Sequence, residues 1–104
     1  MKNGVFYGKG IRELKDTEPE LYSLAEQISN VCYSGTALDY KTQKLIAIGI
    51  EASKSDDKAI RKQMMSGIEE LGITPEEIMD VLKVVLLTSG MPAFSKAVKI
   101  LNTI

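Results

Sequence analysis

Glu51 interrupts the apolar run that begins at Leu45, and Lys44 stands just before that run. At about 100° per residue in a helix, a spacing of seven puts them on one stripe, two turns apart, with Ala47, Ile48 and Ser55. A carboxylate lined by apolar neighbours titrates high and can move a proton, so Glu51 is a candidate general acid/base with Lys44 as its electrostatic partner. The commoner situation of a glutamate is a solvated one, here paired with Lys54 at i+3. Cys32 is either a lone reactive thiol or a small buried hydrophobe. Asp56-Asp57 offers two carboxylates, but neighbours on a helix diverge and no third ligand is evident, which favours a helix N-terminal cap over a metal. Met64 shares a stripe with Ile60 and Ile68, where it packs a core or walls an apolar pocket; Met65 lies off that stripe and can face a neighbouring subunit. Tyr33 and Tyr40 flank a turn, placed to orient a substrate or to anchor an interface. Glu69-Glu70 and Glu76-Glu77 read as solvated faces and a cap.

What is missing narrows the chemistry further. The chain has no histidine. That excludes Ser-His-Asp and Cys-His nucleophiles, histidine metal sites and a ferritin-like Glu-x-x-His centre. With a single cysteine there is no disulfide and no C-x-x-C site. Neither a metal nor a cofactor is expected. Thirteen basic residues against fourteen acidic ones leave no electrostatic footprint for nucleic acid or for an anionic membrane surface. The longest apolar stretch, residues 45–50, is far short of the roughly 20 residues of a membrane span. The first residues hold no apolar signal segment, and a cytoplasmic location is expected.

These residues must be positioned by helices. A length of 104 residues suits one domain over 1–104, and 44% apolar with 26% charged residues suits a globular core. Tyr7, Ile11 and Leu14 form a marginal helical stripe over 5–15, weakened by Gly8 and Gly10. Thr17 and Glu20 have the spacing of a capping box, with Pro19 in the first turn, and Leu21, Leu24, Ile28 and Val31 follow on one face. Asp39 is placed to cap a helix running to about Lys54, apolar around most of its circumference, as befits the centre of a structure or assembly. A third helix spans about Asp56–Leu71, with Gly72 in the place of a left-handed cap. Thr74-Pro75-Glu76-Glu77 opens a fourth, because threonine caps, proline suits the first position and Glu77 completes the box. Ser89-Gly90 ends it, and Pro92 opens a last helix with Phe94, Ala97, Val98 and Leu101 inward. No stretch of useful length alternates with period two. The class is all-α, an antiparallel bundle of five or six short helices.

Three stretches resemble one family. Leu38-Asp39-Tyr40-Lys41-Thr42-Gln43-Lys44-Leu45-Ile46-Ala47 is similar to the L-D-x-K-T-x-E-L-I-A opening of the carboxymuconolactone decarboxylase family. Leu71-Gly72-Ile73-Thr74-Pro75-Glu76-Glu77-Ile78 is similar to its A-G-x-T-x-E-E-I turn, and Ser89-Gly90-Met91-Pro92-Ala93 to its G-x-P-A turn. In register they cover about residues 36–103. The resemblance implies the all-α fold of the alkyl hydroperoxide reductase D-like proteins and a homotrimer, or a hexamer of two trimers, with pockets near subunit contacts. The peroxidase branch carries a glutamate on one helix and C-x-x-C-x-x-x-H on the next. Lys44 stands in the glutamate's place, Asp56 or Asp57 in that of the first cysteine, Ala59 or Ile60 in that of the second, and Gln63 or Met64 in that of the histidine. No register restores a thiol or an imidazole, so dithiol peroxidation is not expected. The expectation is a small-molecule enzyme of divergent site: proton transfer on an organic acid or lactone, Glu51 and Lys44 catalytic, with Asp56, Asp57, Ile60, Gln63, Met64 and Tyr40 around the pocket. The alternative is an oligomeric binding or scaffold protein that has lost the family's active residues.

Overall fold

The computed structural model describes residues 9–104, with side chains from residue 10 onward. Residues 5–8 of the marginal first helix, Tyr7 among them, and the start of the chain lie outside this range. Every regular element among the described residues is an α-helix: α1 Lys9–Thr17, α2 Pro19–Cys32, α3 Tyr40–Lys54, α4 Asp57–Leu71, α5 Pro75–Ser89 and α6 Met91–Leu101. The all-α reading holds. The chain divides into two compact units, one ending at Tyr40 and the other spanning Lys41–Ile104.

In the first unit α1 packs on α2. The capping box expected at Thr17 does not form. Thr17 is still the last residue of α1, and its hydroxyl donates to the Glu13 carbonyl four residues back (3.3 Å). Glu18 takes the N-cap position of α2 without a side-chain cap, and Pro19 starts the helix. A threonine already inside one helix spends its hydroxyl on that helix's own carbonyls, so it cannot cap the next. α2 has no buried residue. Its predicted stripe is present but open, with Leu21 and Leu24 half-exposed, Ile28 64% and Val31 73% exposed. Cys32 is exposed at the end of α2, which corrects its reading as a buried hydrophobe.

The second unit holds the core. Ile48 and Ala52 of α3, Ile60 and Met64 of α4, Ile78, Leu82 and Val85 of α5, and Ala97 and Leu101 of α6 are buried together, with Ile73 from the α4–α5 turn. Gly49 lets α3 lie close on α5, since a Cβ there would stand 3.2 Å from Val81 Cγ1. The starts and stops of α4 and α5 follow from local chemistry. Asp56 Oδ1 accepts from the Ala59 N–H (3.2 Å), and Gly72 caps the far end of α4 at φ 64°. Thr74 Oγ1 accepts from the Glu77 N–H (3.1 Å), while Glu77 Oε1 accepts from the Thr74 N–H (3.0 Å). That backbone hydrogen bond, with Lys41 3.0 Å away, holds the Glu77 carboxyl below its usual range. Thr74→Ala removes one of two reciprocal bonds and strands an N–H at the helix start. It is expected to cost about 1 kcal/mol and to lower the melting temperature by roughly 4–8 °C, read by thermal denaturation, with Thr74→Ser close to the parent.

Candidate functional site

The site forms where α3 crosses α4. On α3, Lys44, Ile48 and Ala52 are the fully buried positions, an i, i+4, i+8 line that faces the rest of the second unit. A lysine on such a line needs room for its stem and a partner for its amine. Gly67 supplies the room. An added Cβ there would lie 3.2 Å from Lys44 Cγ and 2.9 Å from Ile73 Cδ1, so the lysine stem crosses α4 over a glycine. Gln63, one turn earlier on α4, supplies the partner: Lys44 Nζ donates to Gln63 Oε1 at 2.6 Å. Glu70, two turns after Gln63, is the carboxylate whose field favours the charged amine. Gln63, Gly67 and Glu70 at i, i+4, i+7 lie on one face of α4.

Desolvation outweighs the Glu70 field. Burial pushes the Lys44 amine from its ordinary 10.5 down to about 7. Near neutral pH the amine is divided between its basic and its acidic form, the condition in which a group both takes and gives a proton.

The structure brings only two of the sequence-predicted residues into this site, Lys44 and Gln63. Met64, the other choice for the family's histidine position, is fully buried in the core, as is Ile60. Glu51 lies 3.5 Å from Lys54, with its side chain 22% exposed. It sits about 60° off the middle of the buried line of α3, toward the solvated end of the helix. Asp56 is the cap of α4, and Asp57 pairs with Lys96 at 3.2 Å. Tyr40 opens α3 with its ring edge-on to Tyr33, centroids 5.1 Å apart. Among the described residues no group of three or more acidic or cysteine side chains could hold a metal ion.

Glu70 and Gly67 were not singled out from the sequence. Glu70 passes for a solvated residue beside Glu69, and Gly67 for an ordinary helical glycine. Their spacing from Gln63 is the signal that joins them to the site.

The match to the carboxymuconolactone decarboxylase family spans residues 19–103. The chain is 60% identical over 102 residues to an uncharacterised protein of Methanocaldococcus jannaschii, covering 98% of each. A second uncharacterised protein of the same organism is 39% identical over 89 residues, covering 86% of this chain and 82% of the relative.

Proposed function

Since the chain belongs to the carboxymuconolactone decarboxylase family, we propose that it is a small-molecule enzyme that moves a proton on an organic acid or lactone, with Lys44 as the acid/base group. The observation that carries this reading is the Lys44–Gln63 hydrogen bond. By the resemblance Lys44 stands in the place of the family's glutamate and Gln63 is one of the two choices for its histidine, and the two side chains meet at 2.6 Å. The site thus keeps one group able to transfer a proton, the Lys44 amine, and an amide to orient it, without an imidazole or a thiol. The geometry favours Lys44 over Glu51 for this role, because Glu51 is engaged by Lys54 and does not share the buried pair. In this scheme the neutral amine takes a proton from a carbon beside the substrate carbonyl. The ammonium so formed returns it to a second carbon, Gln63 fixes the amine's direction, and Glu70 steadies its charged form.

Lys44 is wholly covered in the single chain, so substrate entry requires a change of cover. That same burial is the observation in favour of the scaffold reading, in which the amine is only a structural polar group. We also propose a homotrimer, or a hexamer of two trimers, acting in the cytoplasm. The open apolar stripe of α2 and the apolar face of α3 and α5, where Leu87 is 87% exposed, support assembly. No helix among the described residues is long and apolar enough to cross a membrane.

The test is solvent deuterium exchange into a panel of lactones and unsaturated organic acids, followed by NMR, with the mass in solution measured by light scattering. Exchange by the parent that rises through pH 7 and falls about 100-fold in Lys44→Met supports the enzyme. No exchange across the panel, or exchange unchanged in Lys44→Met, overturns it in favour of the scaffold. A monomeric mass overturns the assembly.

A further inference from the structure

A groove lies in the same unit, between α4 and α6, and the mechanism above does not use it. Arg61 and Gln63 are two positions apart on α4, about 200° around the helix, so Arg61 points away from the Lys44 site. The groove encloses about 440 Å³. Arg61, Lys96 and Lys99 line it, against a single carboxylate, that of Asp57. In a chain whose formal net charge is -1, this is a local concentration of positive charge.

Two of the three cations are already held in place. Arg61 donates to Thr103 Oγ1 at 2.6 Å, and that hydroxyl donates in turn to the Ile100 carbonyl at 2.7 Å, so its oxygen is fixed as the acceptor for the guanidinium. Lys96 Nζ donates to the Ser55 carbonyl at 3.1 Å and pairs with Asp57 at 3.2 Å. Lys96 and Lys99 recur at i, i+3 on α6, with Thr103 just past its end, opposite Asp57 and Arg61 at i, i+4 on α4. Cations ordered before a ligand arrives lose little freedom when it binds.

We propose that this groove binds a small phosphate ester. A guanidinium fork from α4 and two lysine ammonium groups from α6 lining one groove suit a compact anion of charge near -2 with three oxygens, better than a flat carboxylate that one arginine would satisfy. The Ser95 hydroxyl lines the same space. The volume is much larger than a phosphate group. Pro92 and Ile100 give the remainder an apolar wall, which is the place for the organic part of the ester.

The probe is phenyl phosphate, titrated calorimetrically into the full chain at low ionic strength, with inorganic phosphate and benzoate beside it. The expected result is saturable binding with a Kd of about 0.1–1 mM, tighter than inorganic phosphate and tighter than benzoate. Arg61→Gln and Lys99→Gln, both at exposed positions, are each expected to weaken it roughly tenfold or more. Lys83→Gln, at an exposed pair on α5, is expected to leave it unchanged. Absence of saturation at about 10 mM phenyl phosphate overturns the proposal. So does equal affinity in the parent and Arg61→Gln, or benzoate binding as well as phenyl phosphate. None of these outcomes bears on deuterium exchange at Lys44, so the two readings stand or fall separately.

Discussion

Lys44→Met is expected to be more stable than the parent at pH 6, and the order is expected to reverse as the pH approaches 10.5, where only the lost Gln63 hydrogen bond separates the two. The unfolded chain carries the ordinary lysine, near 10.5, and the folded chain carries the amine at about 7. Below pH 7 both forms are protonated, and the folded state bears the full penalty of a buried cation. Between pH 7 and 10.5 the unfolded state binds one more proton than the folded state, so the parent's stability rises with pH through that window. The fall from 10.5 to about 7 corresponds to at most about 5 kcal/mol. Methionine fills similar volume without charge, but it leaves Gln63 without its donor, which takes back roughly 1–3 kcal/mol. A net gain of at most about 2–4 kcal/mol at pH 6 remains, or a melting temperature higher by roughly 8 °C or more. Denaturant unfolding of both proteins from pH 6 to 10 measures the difference, in which the other lysines cancel. A variant less stable than the parent at every pH would show instead that Lys44 is held as an ammonium by Glu70, in a buried ion pair that its removal breaks.

Gly67→Val is expected to lower stability by about 2–4 kcal/mol, against a helix-propensity gain below about 1 kcal/mol. The new Cβ would stand 2.9 Å from Ile73 Cδ1 and 3.2 Å from Lys44 Cγ, in a place where Gly67, Lys44 and Ile48 are all buried. The lysine stem can yield only by moving its amine off Gln63. Gly67→Ala meets the same two atoms without the branched methyls and is expected to cost less. Trimming Ile73 to valine removes the atom that Gly67→Ala strikes most closely, so the double variant is expected to be more stable than the two single losses add up to. Denaturant unfolding of the four proteins measures this coupling, and strict additivity would mean that the backbone absorbs the extra carbon.

The sequence was most legible where its chemistry is local. The caps of α4 and α5 need only Asp56, Gly72, Thr74 and Glu77 and their own neighbours, and all four act as expected. Thr17 has the same spacing to a glutamate, yet its role depends on whether the preceding residues are helical, which its own box does not reveal. The site was legible in part. The family resemblance set Lys44 in the glutamate's place and Gln63 or Met64 in the histidine's, while the helical spacing gave more weight to Glu51. What selects Lys44 is the missing side chain at Gly67 across the helix interface, and no periodicity within α3 reports what lies on α4. Glu51 belongs to the same stripe by angle alone. Its distance from the middle of the buried line, and Lys54 one turn on, leave it at the edge of the buried face, paired outward and 22% exposed.

The turn between α3 and α4 is made by Ser55, an L-residue in the left-handed region at φ 60°, where glycine is the usual choice. Its carbonyl is gripped by Lys96, whose ammonium also holds Asp57 on the other side of the turn. A hinge built this way is stiff: its side chain narrows the rotations open to it, and one cation clamps both of its arms. Scissoring of α3 against α4 would have to break that clamp. The separation of Lys44 and Gln63, one on each blade, is therefore set mechanically at the turn as well as chemically at the amine.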